Sequence, residues 1–443
     1  MQAETERPTL VRAVSRRQLV GLSINEVIGS GVYLLPAAAA ALLGMSSILG
    51  VLMAGFAVAL LVLCFAEASS YFDEPGGAYL YAREAFGAFV GFEVGWMTWL
   101  ARVASIASLS NGFALAVGFL WSPAASGVPK IAIIGALIGL LTWINVIGVR
   151  QGAGVAVGLL IAKVVPLAVF ITIGIFFVEW SRVAEMSMPP LGVLGEASLL
   201  LLFAYAGFEN TPAAAGEYRN PRRDVPFALL TMILVVTLVY TGVQLVALGT
   251  LPGIAGSTSP VAEAAGTFMG PGGALLMTVA AMISIGGNVG NTVLVGPRYL
   301  YALAKDGYGP RFLAQVHPRY QTPMAAILTL SIIAFALALS GTFVQLAMLS
   351  IIARLTTYIG TAAAVPILRR RMGDRPNVLR LPGGPTIPIM ALLLSLAFLS
   401  SAHLNNLIAG VIALVVGGGI YALRRAPEPP ASSDPTHAGE RAR

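Results

Sequence analysis

Long apolar segments recur along the whole chain and constrain its fold more than any other feature. They are separated by short polar stretches, and each is long enough to cross the ~30 Å hydrocarbon layer of a membrane as a helix. Buried elements of a water-soluble core would instead give shorter runs with a periodicity of 2 or 3.6. Only 11% of the residues are charged, whereas a water-soluble domain carries about 25%. The sequence therefore predicts an all-α integral membrane protein.

We predict twelve transmembrane helices from these segments. Their bounds are 18–43, 47–72, 88–120, 130–148, 152–178, 194–216, 225–249, 273–303, 323–340, 343–368, 384–401 and 404–423. With a cytoplasmic amino terminus, 22 of the 27 Lys and Arg residues lie on the cytoplasmic side, counting Arg298 at the end of the eighth span. Positive charge collects in cytoplasmic loops, so both ends of the chain are predicted to face the cytoplasm.

Charge and cysteine content argue against several classes of function. The formal net charge of +7 comes from basic clusters beside the spans, such as Arg222-Arg223 and Arg369-Arg370-Arg371. Such clusters anchor helices near anionic lipid head groups, so we expect contact with membrane lipid and no nucleic-acid partner. The single cysteine, Cys64, lies in an apolar run, which gives no basis for a disulfide framework or a metal site. We expect no cofactor and no enzyme activity.

Two of the predicted spans are interrupted by glycine and proline. The first contains INEVIGSGVYLLP, with glycines at 29 and 31 near its middle, and the sixth contains LLFAYAGFENTPAAAG around Gly207. Glycine weakens a helix by about 1 kcal/mol, and unwound backbone at membrane depth is tolerated where it lines a cavity or holds a ligand. Two interrupted helices in corresponding positions predict an inverted repeat with a substrate site at the midplane.

Unwound helix ends of this kind favour a zwitterionic ligand. The N–H groups that begin a half-helix attract a carboxylate, and the C=O groups that end the other half attract an ammonium. An α-amino acid presents both charges. The alternative is that the glycines only allow close packing of helices. The presence of interruptions in both corresponding spans favours the binding site.

Four motifs in this order resemble the amino acid–polyamine–organocation superfamily of permeases. They are IGSGVYLLP, FAEASSYFDEPGGAYLYAREAFG, FAYAGFE followed by GEYRNPRRDVP, and GPRYLYALAKDGYGP. The resemblance implies the leucine-transporter type of fold, with five-plus-five inverted repeats, helices one and six broken, and two additional helices. It divides the chain into a cytoplasmic segment 1–17, repeats at 18–185 and 186–370, two helices at 371–425, and a tail at 426–443. The tail is rich in Pro and Ser, and we expect it to be disordered.

The resemblance also implies which residues bind the substrate. The carboxylate would meet the Ser30 hydroxyl and the Gly31 amide, the ammonium would meet main-chain carbonyls, and Phe203 would close over the side chain. The carbonyls would be those of Val27, Phe203 and Ala206. The implied substrate-binding set is Val27, Ile28, Ser30, Gly31, Val32, Phe203, Ala204, Ala206 and Gly207. Glu209 would act beside the second interruption as a gating or coupling residue.

Lys163 lies about 16 Å of helix from the nearer end of predicted span five, too deep for its ammonium to reach water. A buried ammonium is costly, so this lysine is suited to gaining and losing a proton near neutral pH. The resemblance implies the same role, because proton-coupled members place a lysine where sodium-coupled relatives bind the ion. Its amine would reach the carbonyls near Asn25 and Ile28. The alternative is a permanently paired structural lysine.

Arg102 lies in the middle of span three and stays charged, so it needs a carboxylate partner. We predict Glu26 as that partner, although Glu26 departs from the small or neutral residue that the resemblance leads us to expect. The alternative is that Arg102 attracts the side chain of an acidic substrate. Asn288 and Asn291 in span eight could line the pocket or hydrogen-bond between helices, and we favour the second for both. Glu67 in span two is predicted to be structural.

Together these features predict a secondary active transporter in a bacterial cytoplasmic membrane, working by alternating access. We expect proton-coupled uptake of small or medium neutral amino acids, because the predicted pocket is mostly apolar. The apolar residues expected there are Val27, Ile28, Phe203, Ala206 and Phe208. Two alternatives stay open: an exchanger of amino acids and amines that uses Glu26 and Glu209, and an acidic amino acid transporter that uses Arg102. The expected partners are an amino acid, the proton and membrane lipid. A monomer is compatible with the sequence, which leaves the oligomeric state open.

Overall fold

The computed structural model describes residues 14–72, 76–148, 153–213, 218–373 and 378–423. Within these ranges the chain is helical and forms no β-strand, and a single isolated bridge joins Val14 to Tyr218. The predicted cytoplasmic segment 1–17 is described only from residue 14. The predicted tail 426–443 lies outside the described residues.

The described ranges contain sixteen α-helices. They are α1 (Arg16–Val27), α2 (Gly31–Leu43), α3 (Ser47–Ser70), α4 (Gly77–Phe86), α5 (Ala88–Leu120), α6 (Gly127–Val146), α7 (Ala153–Gly174), α8 (Trp180–Val183), α9 (Leu191–Tyr205), α10 (Asn210–Ala213), α11 (Pro221–Thr250), α12 (Pro260–Lys305), α13 (Met324–Ala338), α14 (Phe343–Met372), α15 (Thr386–Ser400) and α16 (Leu404–Ala422). Eight helical stretches are long and apolar enough to cross a membrane, and α9, α13 and α15 are shorter apolar helices. The all-α membrane class is confirmed.

Both predicted interruptions are present. The first separates α1 from α2 and leaves Ile28, Gly29 and Ser30 outside a helix, and the second separates α9 from α10 around Gly207. Gly207 has φ 124°, a conformation in which a side chain would be strained. The backbone at this point therefore requires a glycine.

The eighth predicted span differs most from the structure. Helix α12 begins at Pro260, thirteen residues before the predicted start at 273, and turns sharply at Gly270, which has φ 65° and ψ −166°. Proline at the first helical position is favourable, and glycine accepts the positive φ without strain. The segment 260–269 is thus a separate short helix that precedes the long one.

Two further features position the site. Helix α5 packs against both α12 and α14, and these two helices contact the interrupted pair, α12 at α2 and α14 at α9. Helix α2 packs directly on α9. Glu67 is buried at the end of α3, where it pairs with Arg369 at 2.5 and 2.6 Å and accepts the Leu381 N–H at 3.1 Å. This contact fixes α3 to the end of α14, in agreement with the structural role predicted for Glu67.

Candidate functional site

A cavity lies between the two interruptions. The side chains and backbone around it come from α1, α2, α5, α9, α10, α12, α14 and the two unwound segments. The lining residues are Glu26, Val27, Gly29, Ser30, Gly31, Arg102, Ser105, Leu109, Phe203, Ala204, Ala206, Gly207, Asn210, Asn288, Asn291, Thr292 and Arg354. Seven of the nine residues predicted to bind substrate are among them. The other two, Ile28 and Val32, are buried behind the lining.

The start of α2 gives the cavity one wall that suits an anion. Ser30 is 1% exposed, and its hydroxyl has no hydrogen-bond partner in the described part of the chain. Its carbonyl accepts the N–H groups of Tyr33 and Leu34 at 3.1 and 3.0 Å, which begins the helix. The first N–H groups of a helix have no partner within the helix, so those of Gly31 and Val32 are free to bind a ligand. A buried unpartnered hydroxyl beside them completes a set of donors for a carboxylate.

Carbonyl oxygens and an aromatic ring form the opposite part of the site. The Tyr240 hydroxyl lies 3.1 Å from the Val27 carbonyl and 2.8 Å from the Ala204 carbonyl, so it joins the two interrupted helices. Phe203 lines the cavity and meets Phe343 edge-on, with 6.0 Å between the ring centroids. This carbonyl-rich end of α1 and α9 suits an ammonium group.

Both glycines at the interruptions also allow close contact between helices. A Cβ atom on Gly31 would lie 2.5 Å from Cα and Cβ of Ala204, and one on Gly207 would lie 2.8 Å from the carbonyl oxygen of Glu26. Real Cβ atoms do not approach that closely. The close-packing alternative is therefore also realised, because Gly31 lets α2 rest on α9 and Gly207 lets the second interruption approach the end of α1.

Lys163 holds the end of α1, as predicted. It is fully buried, and its Nζ donates to the carbonyl oxygens of Asn25 and Ile28 at 2.7 and 2.9 Å and to Oδ1 of Asn288 at 2.5 Å. An ammonium group has three N–H donors, so these three bonds use all of them. The contact with the carbonyls of the first span is confirmed.

The predicted ion pair between Arg102 and Glu26 is wrong. Arg102 instead pairs with Glu209 at 3.2 Å and also donates to Asn210. Arg354 forms a second ion pair with the same Glu209 carboxylate. The prediction failed because Glu26 and Glu209 both flank an interruption, and the sequence does not show which of them faces α5.

Glu209 is tied to the second interruption as well as to the two arginines. Its Oε2 accepts the N–H of Gly207 at 2.9 Å and the hydroxyl of Tyr358 at 3.2 Å. The side chain is 3% exposed. A carboxylate at this point therefore links α5, α14 and the unwound segment in one network.

Glu26 faces the cavity and is held by amide groups. Its Oε1 accepts from Asn291 at 2.5 Å and its Oε2 accepts from Asn210 at 2.9 Å. Asn288 donates to the main-chain carbonyl of Glu26 at 3.2 Å. Asn288 and Asn291 thus join helices, as favoured from the sequence, and also line the cavity, which was the alternative. Their spacing of three residues, which puts both on one face of α12, was a usable signal.

The cavity is also more polar than predicted. Charged or hydrogen-bonding side chains supply nine of its seventeen lining residues, including Ser105 and Thr292. Phe208, predicted to contribute an apolar wall, instead stacks on Tyr358 with 5.1 Å between the ring centroids. The prediction of a mostly apolar pocket is therefore wrong.

Comparison with known proteins finds similarity to permeases and other transporters along nearly the whole chain. The profile of a family described as amino acid permease matches residues 14–420. A methylthioribose transporter of Bacillus subtilis (strain 168) is 29% identical, over 96% of this chain and 95% of its own length. The serine/threonine exchanger SteT of the same organism is 29% identical over 93% and 96% of the two chains. The branched-chain amino acid permease BcaP of Bacillus subtilis (strain 168) is 26% identical, over 95% of this chain and 94% of its own length.

Proposed function

Because this chain belongs to the amino acid permease family, we propose that it carries neutral amino acids across a bacterial cytoplasmic membrane, driven by protons. The mechanism we propose is alternating access, in which the cavity opens to one side of the membrane at a time. The inverted repeats at 18–185 and 186–370 belong to this proposal, as do cytoplasmic positions for both ends of the chain. The equivalent interruptions of α1–α2 and α9–α10 support the repeat, and the distribution of Lys and Arg supports the orientation.

One observation carries the choice of an amino acid: the cavity joins a helix start to two helix ends. The start of α2 offers the Ser30 hydroxyl and free N–H groups to a carboxylate. The ends of α1 and α9 offer carbonyl oxygens, such as that of Val27, to an ammonium. A zwitterion satisfies both sets at once, and Phe203, which lines the same cavity, would cover its side chain.

Lys163 supports coupling to protons. When charged, it ties α7 to the carbonyls that end α1 and to Asn288 of α12. Loss of the proton removes one of its three donors, loosens the end of α1, and lets this half-helix move to open the cytoplasmic side. The resemblance to the permease superfamily implies that sodium-coupled relatives bind a sodium ion at this place. The lysine would therefore take over the role of that ion.

The alternatives predicted from the sequence receive less support. Arg102 already pairs with Glu209 and Asn210, which lowers its capacity to bind an acidic side chain. Glu209 is paired with two arginines, so it offers little to a polyamine, and Glu26 alone would have to offset the polyamine's charges beside Arg102, Arg354 and Lys163. Methylthioribose, the substrate in the name of one relative, lacks the carboxylate and ammonium that the helix ends suit.

Ligand screening followed by transport tests this proposal. The purified protein is screened by thermal shift against the twenty amino acids, putrescine and methylthioribose, and the stabilising ligands are then tested in proteoliposomes with and without a pH gradient. We expect stabilisation by neutral amino acids and uptake that follows an inward proton gradient without sodium. Stabilisation by putrescine or methylthioribose alone would contradict the amino acid assignment. Stabilisation by glutamate or aspartate alone, lost in Arg102→Ala, would favour the acidic alternative.

A further inference from the structure

Glu26 is a carboxyl group in the cavity wall with hydrogen-bonding capacity left over. The two carboxyl oxygens accept one amide N–H each, from Asn291 and Asn210, whereas a carboxylate has about four acceptor sites. The basic groups around the cavity pair elsewhere: Arg102 and Arg354 with Glu209, and Lys163 with carbonyl and amide oxygens. The remaining acceptor sites of Glu26 are therefore available to whatever fills the cavity.

From this arrangement we propose that Glu26 determines specificity by accepting a hydrogen bond from the substrate side chain, so that the preferred substrates are small neutral amino acids with a hydroxyl or amide donor. This inference rests on the proposed function and refines its substrate class.

The position of Glu26 suits this role. It precedes Ser30 by four residues, at the other end of the same interruption, and both residues line the same cavity. A substrate with its carboxylate at Ser30 and its ammonium at the Val27 carbonyl thus has its side chain in the space that Glu26 borders. The two asparagines fix the orientation of the carboxyl group, which preorganises it for a directional bond.

Apolar side chains are disfavoured at this position. A leucine or valine side chain would displace water from the Glu26 oxygens without replacing its hydrogen bonds, and a buried polar group left unsatisfied is costly. A hydroxyl or amide replaces the lost hydrogen bond directly.

Cationic side chains are disfavoured by the basic groups near Glu26. Arg102 donates to the same Asn210 side chain that donates to Glu26, and Lys163 donates to Asn288, which bonds to the Glu26 main chain. Each of these two basic groups is therefore one asparagine away from Glu26. The Glu26 carboxylate would attract a lysine or arginine side chain, but Glu26 and Glu209 are two negative charges against the three positive charges of Arg102, Arg354 and Lys163, and a cationic side chain would add a fourth.

Binding of isosteric pairs tests the proposal. Threonine and valine have nearly the same shape, and threonine carries a hydroxyl where valine carries a methyl group. The ratio of their dissociation constants therefore isolates the effect of the side-chain donor. We measure this ratio by isothermal titration calorimetry on the purified wild type and on Glu26→Gln. The wild type should bind threonine at least about ten-fold more tightly, as a hydrogen bond to a charged group allows. Glu26→Gln should reduce the ratio to below about three-fold.

Glu93→Gln is the matched control. Glu93 is also a buried carboxyl group in the helical region, but it lies against Gly417 of α16 and outside the cavity lining. Its variant should keep the wild-type ratio. If Glu26→Gln does not fold, Glu26→Asp takes its place, because the shorter side chain withdraws the carboxyl from the cavity and should also reduce the ratio.

The outcomes separate this inference from the proposed function. If the wild type binds valine as tightly as threonine, or binds lysine more tightly than either, the inference is overturned while amino acid transport stands. A threonine preference that persists in Glu26→Gln also overturns it. If no amino acid binds to the wild type, the proposed function itself fails, and the inference fails with it.

Discussion

Replacing Ser30 by alanine should separate ligand binding from folding more cleanly than any other change at the interruptions. The hydroxyl of Ser30 is buried and has no partner among the described residues, so its proposed partner is the substrate carboxylate. A hydrogen bond to a charged group contributes about 1.5–3 kcal/mol, and each 1.4 kcal/mol is a factor of ten in affinity. Ser30→Ala should therefore weaken amino acid binding by about 10- to 150-fold.

The same substitution should not destabilise the ligand-free protein. It removes a buried polar atom that makes no hydrogen bond in the described structure, so no protein–protein bond is lost. Removing such a group leaves the free energy of unfolding unchanged or raises it by up to about 1 kcal/mol. Substitutions of Gly31 cannot give this separation, because a Cβ atom there would lie 2.5 Å from Ala204 and push α2 away from α9.

Calorimetric titration with the tightest-binding amino acid gives the dissociation constant, and thermal denaturation without ligand gives the stability. Ser198→Ala is the control, because Ser198 is also a fully buried hydroxyl without a described partner but lies outside the cavity lining. We expect it to leave the dissociation constant unchanged. A change of less than about three-fold in Ser30→Ala, or a lower melting temperature of the ligand-free variant, would refute the role given to this hydroxyl.

Three further predictions follow from the buried charges. Lys163→Ala should abolish accumulation driven by an inward proton gradient while substrate counterflow persists. Wild-type uptake should slow as external pH rises, because fewer lysines are reprotonated. Sodium-dependent uptake, or pH dependence retained in the variant, would contradict this. Glu209→Gln should lower the free energy of unfolding by about 3–5 kcal/mol, because it leaves Arg102 and Arg354 without a carboxylate. A melting temperature within about 2 °C of wild type would argue that these ion pairs do not stabilise the protein. Arg369→Met should cost a similar amount, about 3–5 kcal/mol, because it strands the buried Glu67 carboxylate, and the double variant with Glu67→Leu should recover part of the lost stability in the same denaturation assay.

Backbone features of this chain could be predicted because each follows from a local property. Gly29 and Gly31 beside Pro36 indicated the first interruption, and Gly207 indicated the second, since glycine is the residue that unwinds a helix at least cost. The depth of Lys163 likewise follows from counting residues along one helix. Its contact with the carbonyls of the first span came from the resemblance to a known family, because no local property specifies a neighbour on another helix.

Partners across helices were the part that the sequence could not specify. Whether Arg102 meets Glu26 or Glu209 depends on the rotation of α5 relative to both interrupted helices, and apolar membrane helices carry little periodic signal that fixes this rotation. The prediction of a mostly apolar cavity failed for the same reason. Asn291 and Ser105 can face either a neighbouring helix or the cavity, and only the packed arrangement decides between them.

The kink at Gly270 shows a third limit. The segment before it is apolar and helical, so hydrophobicity alone gives no boundary between it and the long helix that follows. The pair Gly270-Pro271 was the available signal, because glycine followed by proline is typical of a turn.

Interrupting two helices has a consequence for how such a protein can change during evolution. The groups that the helix ends present to a ligand are mostly N–H and C=O groups of the main chain, and these persist whichever side chain a mutation introduces nearby. Recognition of the part that all α-amino acids share is thereby protected from most point mutations. The side chains that line the rest of the cavity, among them Glu26 and Asn291, are encoded residue by residue and are open to change. A chain built in this way can acquire a new substrate preference by one or two substitutions without rebuilding its binding site.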